Sequence, residues 1–498
     1  MKHAILLMAH SDIEYLSELI DYFDDDFSIY IHLDKKKRFS TDEINLLKSK
    51  RNVVSVSRKY KTNWGGFNIL KAELFLMKKA LDNGTYDYYH LISGQDYPAK
   101  SLYEFKYFFE KTNGVEYVEY DRLPRREWDN GTFGRFEYFR PFDIFDHRTK
   151  WGRKIINSVI NFQIKRKICR EKPDQFATLY GGSAWFSITG KAVKHILDYT
   201  ANHPAFYNRL KYTFATEETY IPTILVNSEL KENIENCNLR YIDWNHRNNS
   251  FPAILDESDF YKILETKSVF ARKIIRPTSQ KLIDKLKYRI THSISDENLS
   301  LEIADKGFFD SKIFEGHCYD REMAEALCLF TELMEVKTIV DLGCGPGWYV
   351  KTLRDAGFSI EGFDGNPNTG YLSDIIMQDG TQCRQLDLTN DIKFEEEYDM
   401  VLSLEVGEHI PREFEDIFIS NLVNNCKKYL VISWAIEQQK GDGHINCHNN
   451  EYIIDKITKM GFVENIPVKN YLRHVAELRW FRDTIFVFQK IVIEKEHS

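Results

Sequence analysis

Val340-Asp341-Leu342-Gly343-Cys344-Gly345-Pro346-Gly347 is the stretch on which the fold turns. The apolar run 338–342 leads into it and a helical pattern opens at Trp348, so it reads as a strand–turn–helix junction. Glycines there let the backbone turn tightly and approach a ligand, while the helix N-terminus offers free N–H groups. Seventeen residues past Gly347 the next strand run, 359–363, gives way to Asp364, where a carboxylate can accept from both ribose hydroxyls. Asp387, after the run 383–386, is placed to meet an adenine amino group. A lone Gly-rich turn is weak support for a nucleotide site; three ordered features at these spacings are much stronger.

Outward from this junction, 400–404 and 429–434 are further apolar strand runs separated by helical stretches. The first half of the chain alternates in the same way. Strand-like runs fall at 4–8, 28–33, 53–56 and 88–92, with helical periodicity over 13–23 and 64–83 and Asn83-Gly84 as a C-cap. Such alternation predicts two α/β domains, each with a mostly parallel sheet flanked by helices. Between them the pattern loosens: 275–290 is rich in Lys and Arg, and 291–300 is polar. The expected division is a domain over 1–276, a linker over 277–299 and a second domain over 300–498.

The length of 498 residues accommodates two or three domains, and 43% hydrophobic content with 29% charge excludes collagen and disorder. No run of about 18 apolar residues exists, so no membrane span is expected. The N-terminal stretch reads as a first strand, not a signal peptide. Eight cysteines are scattered without a CxxC pair, which suits free thiols in a reducing compartment; the protein is expected to be cytoplasmic. Charge is uneven. Residues 1–300 hold 47 Lys+Arg against 40 Asp+Glu, a net of +7, and the remainder 20 against 35, a net of −15. A half that acidic argues against nucleic acid as a partner.

The second half resembles class I S-adenosylmethionine-dependent methyltransferases, with DLGCGPG as the first motif. The resemblance implies a Rossmann-like fold in which Asp341, Gly343, Gly345 and Gly347 flank the methionine part of the cofactor. Asp364 would then hold the ribose and Asp387 the adenine. Methyl transfer to a hydroxyl needs an acceptor held in line with the sulfonium and a base. Two stretches offer a histidine for this: Ser403-Leu404-Glu405-Val406-Gly407-Glu408-His409 and Gly443-His444-Ile445-Asn446. His444 is the expected base, because a polar loop over the site can reach an acceptor.

In the first half, IHLDKK, NWGGF, LISGQDYPAKS, GGSAWFS, TEETYIPT, LRYIDW and VFARK follow one another in order. That order is similar to glycosyltransferase family 14, which includes the core-2/I-branching N-acetylglucosaminyltransferases and the peptide O-xylosyltransferases. The resemblance implies a variant GT-A-like fold and inversion of a UDP-sugar, with Glu218 as base and Glu217 as its neighbouring alternative. It further implies that Asp34 and Lys36 contact uracil, that Arg272 and Lys273 lie near the diphosphate with Arg247 adding a charge, and that Gln95, Asp96 and Trp185 line the sugar and acceptor site.

Inversion needs one base for the acceptor proton and a positive charge for the leaving diphosphate. No convincing Asp-x-Asp stands at a strand end, and Asp24-Asp25-Asp26 reads as a solvated turn. Lys273 with Arg272 is therefore expected to replace a metal, and none is expected as a cofactor beside S-adenosylmethionine and the UDP-sugar. The expected activities are transfer of N-acetylglucosamine or xylose to a glycan or lipid-linked oligosaccharide, and O-methylation of that glycan. A nucleic-acid or small-molecule methyltransferase with a glycan-binding N-terminal domain is the alternative. The stretch 151–170, with Ile155, Ile156, Val159 and Ile160 near Lys165, Arg166 and Lys167, reads either as a surface helix packed on the core or as an interfacial helix giving peripheral membrane contact.

Overall fold

The computed structural model describes residues 1–10, 12–126, 128, 133–171, 173, 176, 178–292, 302–437 and 439–491. The chain divides into two compact units, residues 1–263 with 267–290 and residues 264–266 with 291–498. Most of the stretch expected as a linker is a helix, Gln280–His292, whose Leu282, Ile283, Leu286 and Arg289 are buried at helical spacing. Arg289 donates to the carbonyl of Ala99 at 2.8 Å and pairs with Glu104 at 2.6 Å, so 280–290 are bound into the first unit. The expected linker residues 293–299 lie outside the described residues.

The first unit is built on a seven-stranded sheet in the order Ile234–Glu235, Glu116–Val118, Phe186–Thr189, Tyr88–Ser93, His3–Ala9, Phe27–Leu33, Val53–Ser57. The last four run parallel, and Phe186–Thr189 is antiparallel to both its neighbours. The parallel centre reads as near-continuous hydrophobic sequence because both faces are covered. On one face Leu70, Leu76 and Met77 of the helix Phe67–Asn83 pack with Ala4, Leu6 and Tyr89. That helix begins at Phe67, three residues later than its pattern suggests. Gly65 takes a left-handed turn (φ 72°), and a Cβ there would stand 2.4 Å from the Phe214 ring. At its other end Gly84 is extended, not left-handed, and closes the helix through its N–H to Ala80.

A second, three-stranded sheet joins Arg240–Ile242, Phe270–Arg272 and Asp96–Pro98. Its register sets Arg272 opposite Asp96, although 176 residues separate them. The helix Lys150–Arg166 buries Gly152, Ile156 and Gln163 and leaves Trp151 74% and Phe162 56% exposed. Among the described residues no helix is long and apolar enough to cross a membrane.

The second unit carries a seven-stranded sheet in the order Arg384–Gln385, Ser359–Asp364, Thr338–Leu342, Tyr398–Ser403, Cys426–Ser433, Ile485–Lys490, Phe462–Glu464. The first five strands are parallel and the last two pair antiparallel at the edge. The strand order reverses beside Thr338–Leu342, which places a crevice at the carboxyl ends of the central strands. The expected α/β class, glycosyltransferase-like then Rossmann-like, describes both units.

Candidate active sites

In the first unit the helix Glu217–Val226 begins with two carboxylates that meet different surroundings. Glu217 turns inward, 6% exposed, toward the equally buried Glu73. Burial and then the charge of Glu218 raise its pKa, and its Oε2 has no hydrogen-bond partner among the described residues. Glu218 opens outward, one-third exposed, and receives Arg135 Nη1 at 3.2 Å. Burial raises the Glu218 pKa and the Arg135 charge opposes that rise. Arg135 itself lies flat over Trp128, 3.6 Å from the ring centroid. The glycine pair Gly181-Gly182 lets the chain pass close: the Gly182 N–H donates to the Glu218 carbonyl at 2.9 Å. A Cβ on Gly182 would stand 1.9 Å from the Glu119 carbonyl oxygen.

At the carboxyl end of Tyr88–Ser93, Asp96 is wholly buried. Its Oδ2 accepts from the Ser93 N–H and hydroxyl, each at 2.6 Å, and from Arg272 at 3.0 Å. Arg272 stacks on Trp185, 4.0 Å from the ring centroid. Asp96 thus anchors Arg272, and Trp185 and Gln95 are half-buried beside it. Lys273 donates to Ser250 at 3.1 Å, and its pKa is lowered by burial and then by Arg272 and Arg148. Asp34 caps the end of Phe27–Leu33 by accepting from the Lys36 and Thr62 N–H groups, and the Lys36 ammonium reaches Asp146 at 2.8 Å. Lys36, Lys37 and Arg148 also lower the pKa of His10, after burial, so several cations border this sheet edge.

Asp243, Asp256 and Asp259 hold the Arg247 guanidinium at 3.2, 2.5 and 2.5 Å. Asp24, Asp25 and Asp26 precede Phe27–Leu33, at the opposite end of the strand from Asp34, and pair with Lys106, Arg51 and Lys2.

In the second unit a cavity of about 300 Å³ lies over the glycine turn. Gly343, Gly345 and Gly347 have φ of 91°, 51° and 86°, in the left-handed region that favours glycine. A Cβ on Gly343 would stand 2.3 Å from the Val406 side chain. Asp341 is buried, and burial raises its pKa well above the usual carboxylate range. Asp364 accepts from the Gly345 and Asn366 N–H groups at 2.8 and 2.9 Å, tying the ends of two neighbouring strands together. Asp387 pairs with Lys306 at 2.5 Å and accepts from Thr389.

The same cavity is lined by Glu405, His409 and His444. His409 and His444 donate through Nδ1–H to the carbonyls of Gly443 and Gln439, at 3.1 and 3.2 Å. Burial, then His444, holds the His409 pKa down at about 4. Sequence reading missed Arg135 and the approach of His444 to Glu408 and His409. Arg135 stands in no recognisable motif and meets Glu218 across 83 residues.

Two α/β units, each gathering charged and glycine-rich loops at the carboxyl edge of a parallel sheet, make up the chain. The core-2/I-branching enzyme family model matches residues 4–264, more than half the chain, and the chain belongs to that family. A methyltransferase-domain model matches residues 316–427. Among curated proteins, xylosyltransferase 2 of Rattus norvegicus is 25% identical over 308 residues, covering 56% of this chain and 32% of its own. Xylosyltransferase 1 of Pan troglodytes is 25% identical over 294 residues, covering 53% and 28%. The chain thus spans about a third of the length of the curated relatives it matches. Of solved structures, the magnesium protoporphyrin IX methyltransferase of Synechocystis PCC 6803 with bound SAM aligns at TM-score 0.28 and 19% identity, over 35% of this chain and 80% of that one. A sugar N-methyltransferase from Streptoalloteichus aligns at TM-score 0.29 and 13% identity, over 34% and 88%.

Proposed function

We propose that the chain carries two group transfers on one glycan. The first unit transfers a sugar from a UDP-sugar to an acceptor hydroxyl with inversion, and the second methylates a glycan hydroxyl from S-adenosylmethionine. The observation that carries the first is the division of labour between Glu217 and Glu218. Glu217 is buried, whereas Glu218 is one-third exposed and receives Arg135. An open carboxylate with a raised pKa suits a general base that takes the acceptor proton as the hydroxyl attacks the anomeric carbon. Negative charge gathering on the departing UDP is met by Lys273 and Arg272, fixed cations held by Ser250 and Asp96. This transfer needs no divalent ion.

For the second unit, the left-handed glycine turn with Asp341, Asp364 and Asp387 supports a nucleoside ligand of the S-adenosylmethionine type. Xylose is the first donor to test, since the relatives above are xylosyltransferases, with N-acetylglucosamine second. A lipid-linked acceptor fits the exposed Trp151 and Phe162 on a helix that also carries Lys154, Lys165 and Arg166. Such contact would be peripheral, at the cytoplasmic face of a membrane. The test is mass spectrometry of an oligosaccharide acceptor incubated with the protein, UDP-sugar and S-adenosylmethionine. The product expected carries one added sugar residue and one added methyl group. A methyl group that never appears on a glycosylated product would contradict coupling of the two activities.

A further inference from the structure

Glu408 is fully buried, yet neither of its carboxylate oxygens has a hydrogen-bond partner among the described residues. An orphaned buried carboxylate is costly, and the stable remedies are a proton or a cation. One ligand atom from each of Glu408, His409 and His444 can be chosen so that all lie within 4.8 Å of one another. Both histidines spend Nδ1–H on backbone carbonyls, which leaves each Nε2 lone pair available. That arrangement is the usual one for metal-ligating imidazoles, because the outer hydrogen bond fixes tautomer and ring direction.

The two loops that bring the trio together are pinned to each other. The Glu408 carbonyl accepts from the N–H groups of both Ile445 and Asn446, at 2.9 Å each. Gly407 lets its loop lie against Trp434, where a Cβ would stand 2.2 Å from the ring. Gly441 does the same beneath His444, where a Cβ would stand 2.1 Å from Nε2. The ligands are thus set by short backbone contacts and not by flexible side chains alone.

We propose that Glu408, His409 and His444 form a divalent transition-metal site, of the Mn²⁺, Fe²⁺ or Zn²⁺ class, at the acceptor end of the methyl-transfer cavity. Bonds of about 2.1 Å put adjacent ligand atoms about 3.0 Å apart and opposite ones about 4.2 Å, so the trio draws inward to close on an ion. Two imidazoles and one carboxylate with positions left open suit a borderline divalent transition ion. His409 and His444 line the same cavity as Asp341, Gly343 and Asp364, so the open positions face the ligand space. There the ion binds the acceptor hydroxyl and acidifies it. The hydroxyl oxygen forms the new C–O bond as the C–S bond of the sulfonium breaks. Its electron pair stays on sulfur, and the hydroxyl proton leaves to water. His444 is then a metal ligand and not the base the sequence suggests. This assignment rests on the methyl-transfer reading of the second unit.

The test is electron paramagnetic resonance of Mn²⁺ titrated into the full chain after chelator treatment, with S-adenosylmethionine affinity measured in parallel by calorimetry. One saturable Mn²⁺ site per chain is expected. Glu408→Gln, His409→Gln and His444→Gln should each weaken it at least tenfold while S-adenosylmethionine affinity stays within twofold. His444→Gln sits on a partly exposed loop, so its effect is read in a folded protein. No saturable Mn²⁺ binding, or an affinity unchanged in all three variants, would overturn the site. A His444 that is only a base would give that second result. Mn²⁺ binding without S-adenosylmethionine binding would instead overturn methyl transfer and leave the cation site standing.

Discussion

On the proposed reading, the contact between Glu218 and Arg135 tunes the base. Burial pushes the Glu218 carboxyl up, and the guanidinium at 3.2 Å holds that rise in check. A base works deprotonated, so activity should fall as pH drops through the Glu218 pKa. Replacing Arg135 with Gln removes the restraining charge. The acidic limb of kcat/KM for UDP release should then move to higher pH; a limb that stays or moves down would disprove the pairing. Arg135 also shows what sequence reading misses. The glycine turn at 343–347 and the Glu217-Glu218 pair are legible because their chemistry is dense and local. Arg135 is one of many arginines until the fold carries it across 83 residues. Arg247 is the opposite case. Asp243, Asp256 and Asp259 all lie within 12 residues of it, and a local loop suffices to close them on its guanidinium.

At the scale of elements, the helix Gln280–His292 illustrates why a boundary is harder to read than a strand. Its Lys-rich surface resembles a linker, and only the spacing of Leu282, Ile283, Leu286 and Arg289 reveals a buried face. Arg289 meets Glu104 across 185 residues, with side-chain exposures of 3% and 10%. Breaking such a buried pair from one side costs about 3–5 kcal/mol. Arg289→Ala should therefore lower the unfolding midpoint of the first unit in urea by a corresponding amount. An unchanged midpoint would mean that the helix is dispensable. The central parallel strands of both large sheets are legible because strands covered on both faces are apolar, whereas the short parallel pairs Ile234–Glu235 with Glu116–Val118 and Arg240–Ile242 with Phe270–Arg272 leave no such run. The antiparallel Phe186–Thr189 was not foreseen, since nothing in four residues specifies direction. In the second unit, Gly343→Ala should abolish S-adenosylmethionine binding in calorimetry, because the new methyl meets Val406 at 2.3 Å on a left-handed backbone. Retained affinity would place the cofactor elsewhere.

For the whole molecule, the two activities should respond oppositely to a chelator. On the proposed reading sugar transfer rests on fixed cations and methyl transfer draws on the Glu408 site, so EDTA should spare UDP release and suppress methylation. Loss of both, or of UDP release alone, would contradict that division. Membrane contact has its own readout: the protein should float with anionic liposomes through the helix Lys150–Arg166, and Trp151→Ser with Phe162→Ser should abolish it. The central claim is that Glu218 makes the first unit an inverting transferase that uses no metal. It is tested most directly by UDP release from UDP-xylose and UDP-N-acetylglucosamine, with acceptor and EDTA present, for the wild type and Glu218→Gln. Turnover of one donor by the wild type, falling by about 10²–10⁴-fold in the variant, is the result the structure predicts. Equal turnover by both proteins, or activity that appears only when Mn²⁺ is restored, would contradict it.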